Sequence, residues 1–152
     1  MRILRHAALL LALFAAADLR AQDCADRRVQ AEVVELRQEL DTQEVSCAEA
    51  ARGDLDGDGA ADAVLRVSYE GMGGGNNWGS MIYVLLADAS APLITEPAEE
   101  RGTVDYITVA GRTLRVQTLE YRDGDGRCCP SGRGSFAMRL DGRRLVRVHD
   151  DR

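Results

Sequence analysis

Past residue 62 the chain breaks into strand-length pieces joined by short connections, and that limits how its strands can pair. Parallel neighbours need a crossover of a dozen or more residues, whereas antiparallel neighbours need only a turn. Residues 62–70 (DAVLRVSYE), 103–109, 113–119, 135–140 and 143–148 have the length and the β-branched or aromatic content of strands. Ala110-Gly111-Arg112 and Asp141-Gly142 separate two pairs of them, and Asp-Gly is the strongest hairpin signal in the chain. Residues 81–87 (MIYVLLA) are apolar throughout, the pattern of a central strand covered on both faces. The stretch after it, with Pro92 and Pro97, reads as a linker.

Nearer the N-terminus the period changes. Val29, Val33, Leu36 and Leu40 recur at spacings of four, three and four, one apolar stripe of a helix over 24–40 that Asp23 is placed to cap. Beyond Asp41-Thr42 the pattern stops, and the segment around Cys47 reads as a connection. The expected fold is therefore α+β, an N-terminal helix packed on a mainly antiparallel, curled sheet of about six strands. No repeat of solenoid or propeller period is visible.

The opening, MRILRHAALLLALFAAADLRAQDC, has a basic head at Arg2 and Arg5, an apolar run over 7–17 and a polar exit. That is the layout of a secretory signal peptide, and the run is too short to span a bilayer. Ala15 and Ala17 suit cleavage after residue 17; cleavage after residue 21 is the alternative. Ala21-Gln22-Asp23 does not match the residues that precede a lipidated cysteine. The expectation is a leader over 1–21 and one domain over 22–152, in the periplasm or secreted, with no membrane insertion after cleavage. Loss of the leader removes three arginines and one aspartate, so the formal charge falls from −6 to −8. Nucleic acid and anionic lipid need a basic face and are excluded as expected partners.

Four cysteines survive cleavage, Cys24, Cys47, Cys128 and Cys129, and an even count in an exported chain reads as disulfides with three possible pairings. A bridge between the neighbours Cys128 and Cys129 closes a strained eight-membered ring. Pairing each with a distant partner avoids the ring, and a loop of about 80 residues would contribute up to ~4.5 kcal/mol. Pairing Cys24 with Cys47 closes about 24 residues, nearer ~3.4 kcal/mol. Chain entropy favours the long bridges, and the sequence leaves the pairing open.

Between the helix and the first strand lies GDLDGDGAAD, four carboxylates within nine residues. Asp54, Asp56, Asp58 and Asp62 fall at positions 1, 3, 5 and 9 of a calcium loop, with Gly59 at the sharp turn and the Ala60 carbonyl at position 7. Alternate side chains can converge on one point, where Ca²⁺ would cancel their repulsion. Leu65 stands where an EF-hand has its bidentate glutamate, and a strand follows rather than a helix. The loop is thus not an EF-hand, and its expected affinity is on the extracellular scale, ~10⁻⁴ to 10⁻³ M. The competing reading is a metal-free acidic turn held by Asx-type hydrogen bonds.

The segment GDLDGDGAADAVLRV resembles a single FG-GAP/VCBS-type repeat, the calcium-loop-plus-strand unit of integrin-like propellers. More widely, the order GDLDGDGxxDAV, GGGNNW, TLEYRDGDGRCCPS and a terminal hairpin resembles a group of small exported bacterial proteins of uncharacterised function. The resemblance implies Asp54, Asp56, Asp58 and Asp62 as ion ligands and Ala60 as a carbonyl ligand. One repeat cannot carry the ligand-binding surface of a seven-bladed propeller.

Other candidates are weaker. Asp123-Gly124-Asp125-Gly126 repeats the acidic core, but Tyr121 and Cys129 would occupy positions 1 and 9, so it reads as a plain turn. In Gly73-Gly74-Gly75-Asn76-Asn77-Trp78 the amides of Asn76 and Asn77 could read hydroxyls and Trp78 could stack on a sugar; the alternative has Trp78 plugging the core. Cys128-Cys129-Pro130 lacks a Cys-x-x-Cys motif and reads as a structural bridge, and no serine lies in a nucleophile elbow. The expected protein is therefore a small exported, non-enzymatic calcium-binding module facing an unidentified protein or glycan. Two alternatives are an acidic inhibitor or immunity-like protein that blocks a basic enzyme, and a carbohydrate-binding module using the GGGNNW loop.

Overall fold

The computed structural model describes residues 23–42, 44–75, 78–88, 90–97, 102–126 and 128–148. The expected leader, Asn76 and Asn77 lie outside the described residues. In chain order the elements are α1 (Arg27–Glu39), β1 (Glu44–Gly53), β2 (Asp62–Glu70), a 3-10 turn (Met72–Gly74), β3 (Trp78–Leu85), β4 (Ile94–Pro97), β5 (Gly102–Ala110), β6 (Thr113–Glu120), β7 (Gly132–Asp141) and β8 (Arg144–Val148).

The strands form two separate four-stranded sheets, β1-β2-β3-β4 and β5-β6-β7-β8, each a meander of antiparallel neighbours. Antiparallel pairing follows the connection lengths, but the single curled sheet of about six strands is corrected: the protein is mostly β, with two facing sheets of four strands. Two strands hide in segments that read as connections. β1 (EVSCAEAARG) is rich in alanine and glutamate, which strands disfavour, and its alternation of exposed and half-buried positions lacks large apolar residues. It is tolerated because it lies at a sheet edge, bonded on one side only. β4 contains Pro97, which a sheet accepts at an edge where its missing N–H costs no ladder bond.

The inner strands of the first sheet, β2 and β3, are covered on both faces. Ala63, Leu65, Val67, Tyr83 and Leu85 pack with Val29, Val33 and Leu36 of α1. The intervening residues Val64, Ile82 and Val84 point the other way, into a core shared with Ile107, Leu114, Val116 and Met138 of the second sheet. The period of two explains why β3 is apolar throughout: each face of the strand meets a different layer. Polar ties also cross between the sheets. Ser80 Oγ accepts the Val104 amide at 2.9 Å and bonds the Thr103 hydroxyl, all of them buried. Arg66 donates to the carbonyls of Val104 and Asp105 at 3.4 and 3.3 Å, beside the bulge between Val104 and Tyr106.

α1 begins at Arg27, later than the expected start at 24. Its cap is Asp26, whose carboxylate accepts the Arg28 amide at 2.8 Å, and not Asp23. Asp23 instead pairs with Arg52 of β1. Residues 23 and 24 are also helical, and the chain turns at 25–26 between Cys24, bridged to Cys47 in β1, and the start of α1. The second bridge joins Cys128 to Cys129. Chain entropy alone pointed to long bridges, but the fold places Cys47 at α1 and Cys128 in the β6–β7 loop, and proximity decides the pairing. Among the described residues no helix is long and apolar enough to cross a membrane.

Candidate metal centre

The acidic loop is the connection between the paired strands β1 and β2, and two buried side chains hold it to the body of the protein. Leu55, at the second position of the loop, is 1% exposed and belongs to the core between the sheets. Asp62, at the ninth, is completely buried. Its Oδ2 accepts the Leu55 amide at 2.8 Å and its Oδ1 accepts the Ala87 amide at 2.9 Å, just beyond β3. One carboxylate therefore ties both ends of the loop to the neighbouring connection.

With the loop anchored in that way, its other carboxylates turn outward and converge. Asp54, Asp56 and Asp58 each offer an oxygen, and these three atoms lie within 4.8 Å of one another. Backbone amides orient them. Asp54 accepts from Gly57 at 2.6 Å and from Gly59 at 3.1 Å; Asp56 accepts from Asp58 at 3.0 Å; Asp58 accepts from Ala60 at 2.7 Å. Gly57 and Gly59 have φ of +88° and +89°, a left-handed conformation that glycine adopts without cost and that curls the chain around the carboxylates. An ionised carboxylate has about four lone-pair sites, so each retains acceptor capacity after its amide bonds are made. At 4.8 Å in water two unit charges repel by about 0.9 kcal/mol, which a divalent cation would reverse.

Sequence reasoning missed one contributor. Arg112, in the turn between β5 and β6, donates from Nε to the Leu55 carbonyl at 3.1 Å and from Nη2 to the Asp56 carbonyl at 2.5 Å. A Cβ on Gly57 would come within 3.0 Å of the Arg112 guanidinium, so the glycine also leaves room for it. The arginine holds the loop backbone against the second sheet and sets a fixed positive charge beside the aspartates. In sequence it is one of many arginines in a hairpin turn, and only the stacking of the two sheets brings it there.

Of the four aspartates expected to act together, the structure gathers Asp54, Asp56 and Asp58 and commits Asp62 to backbone amides; Ala60 lies at the loop's exit, its amide bonded to Asp58. Trp78 begins β3 opposite Glu70 and is half-buried, and its indole N–H has no acceptor among the described residues. In the second acidic turn Asp125 Oδ2 accepts the amides of Arg122 at 2.7 Å and Ser131 at 2.8 Å, which close the base of the β6–β7 loop. Those backbone bonds hold the Asp125 carboxyl below its usual range. Comparison with protein-family models, curated proteins and solved structures finds no match to this chain.

Proposed function

We propose that this protein is a small exported, non-enzymatic module that binds one calcium ion through Asp54, Asp56 and Asp58 and uses it to stiffen the β1–β2 loop. The observation that carries the reading is the convergence of three amide-oriented carboxylate oxygens within 4.8 Å. The resemblance of GDLDGDGAADAVLRV to an FG-GAP/VCBS-type repeat supports the same ion. Hard oxygens without nitrogen or sulfur donors select Ca²⁺ over softer metals, and waters can complete its six to eight ligands. In this reading Asp62 shapes the loop from behind, while the Ala60 carbonyl remains available to the ion. An exported location accords with the disulfides and with an affinity tuned to millimolar calcium.

The test is calorimetric titration of Ca²⁺ into the chelator-treated protein, beside Asp56→Asn and Asp58→Asn. The expected isotherm has one site with Kd of ~10⁻⁴ to 10⁻³ M, weakened at least about tenfold by either substitution because affinity follows ligand charge. Equal binding by wild type and both variants would place calcium elsewhere.

A further inference from the structure

The two disulfides of this protein stand in opposite settings, and the contrast carries a second site. Cys24–Cys47 joins the approach to α1 to β1 across 23 positions, and both cysteines are half-buried against the core under the helix. Cys128–Cys129 joins neighbours, and both are exposed in the loop between β6 and β7. A crosslink stabilises by withdrawing freedom from the unfolded chain in proportion to the loop it closes, and a bridge between adjacent residues closes none. Nor does it hold the β6–β7 loop shut. Asp125 does so through the amides of Arg122 and Ser131, and the Cys129 amide bonds the Gly126 carbonyl at 3.0 Å.

We propose that Cys128–Cys129 is a reversible thiol–disulfide site, exchanging two electrons with dithiols while the fold stays intact. One thiolate of the dithiol attacks either sulfur, breaking the cysteine bridge and forming a mixed disulfide with release of the other cysteine as thiolate. The second thiolate of the dithiol then displaces the remaining cysteine. The dithiol leaves as a disulfide, and its two protons and two electrons end on the cysteines as a pair of thiols. A monothiol is a poor reductant here, because the released cysteine is adjacent to the mixed disulfide and expels it again. Exposed bridges of this kind are the labile ones in a protein, and buried crosslinks between distant elements resist reduction.

The experiment is graded reduction of the full mature protein by dithiothreitol, and in parallel by glutathione, with alkylation and mass mapping of all four cysteines. The expected result is labelling of Cys128 and Cys129 at a dithiothreitol to oxidised-dithiothreitol ratio at least tenfold lower than for Cys24 and Cys47, about 30 mV apart. Glutathione at matched potential should label them less, the selectively reduced protein should melt within about 2 °C of the oxidised form, and oxidised dithiothreitol should restore the bridge. Simultaneous opening of both bridges, or intermolecular crosslinking in place of re-formation, would overturn the proposal. The double variant Cys128→Ser/Cys129→Ser should also melt within about 2 °C of wild type. If it fails to fold or melts far lower, the bridge is structural and the proposal is wrong.

Discussion

Asp62 shows how one residue type serves two ends in a single loop. Asp54, Asp56 and Asp58 face outward with acceptor capacity to spare, whereas Asp62 is buried with both oxygens on backbone amides. Substitutions should separate these roles. Asp62→Ala strands the buried Leu55 amide, leaves the exposed Ala87 amide to solvent, and should cost about 1 to 3 kcal/mol with or without calcium, measured by urea denaturation. Asp58→Asn keeps an oxygen for the Ala60 amide, so its calcium-free melting point should stay within about 2 °C of wild type while its response to 10 mM calcium falls by at least about 3 °C. Gly79 offers a test away from the loop. It pairs with Tyr69 across β2 and β3, and an added Cβ would lie 2.5 Å from the Tyr69 hydroxyl oxygen. Gly79→Ala should push the ring off the strand and cost about 1 to 3 kcal/mol. At this scale the sequence disclosed which residues could ligate, because spacing is local; it hid the burial of Asp62, which depends on Ala87 in another connection.

Among the elements, the Cys24–Cys47 bridge does most to fix how α1 enters the fold. Replacing both cysteines by serine should lower stability by up to about 3.4 kcal/mol and fray the first turn, read as a fall in melting temperature and in helical circular dichroism. The helix and the strands after residue 62 were legible because the apolar period of Val29, Val33 and Leu36 and the continuous apolar run over 81–85 are both strong local signals. β1 and β4 were not. Edge strands bury little and tolerate Ala, Glu and Pro, so their chemistry resembles that of loops until a partner strand supplies the hydrogen bonds. The Arg112 contact was invisible for a related reason, since it joins residues 56 positions apart through the stacking of two sheets.

The described residues form three layers: a helix, a sheet whose inner strands are buried on both faces, and a second sheet whose outer face exposes residues such as Tyr106. The middle layer makes a prediction independent of any ion. Tyr83, 1% exposed beneath α1, has its phenol pKa pushed up to about 12 by burial, with Glu32 and Glu35 of the helix adding to it. In the unfolded chain it ionises near pH 10, so the unfolded state releases its proton first. Stability should therefore hold below pH 10 and fall by on the order of 2 kcal/mol as the pH rises toward 12, with tyrosinate absorbance lagging the model phenol. The layered arrangement lay beyond the sequence, because the continuous apolar run in β3 says that both faces are covered without saying by what.

The most direct test of the calcium reading is the melting temperature of the chelator-treated protein with and without 10 mM CaCl₂, at matched ionic strength and with MgCl₂ as control. Millimolar to submillimolar affinity requires stabilisation of about 1.4 to 2.7 kcal/mol, hence a rise of roughly 4 to 10 °C with calcium that Asp56→Asn reduces by at least about 3 °C. Superimposable curves in calcium and chelator would contradict it and leave the aspartates of the β1–β2 loop as a turn held by backbone amides alone.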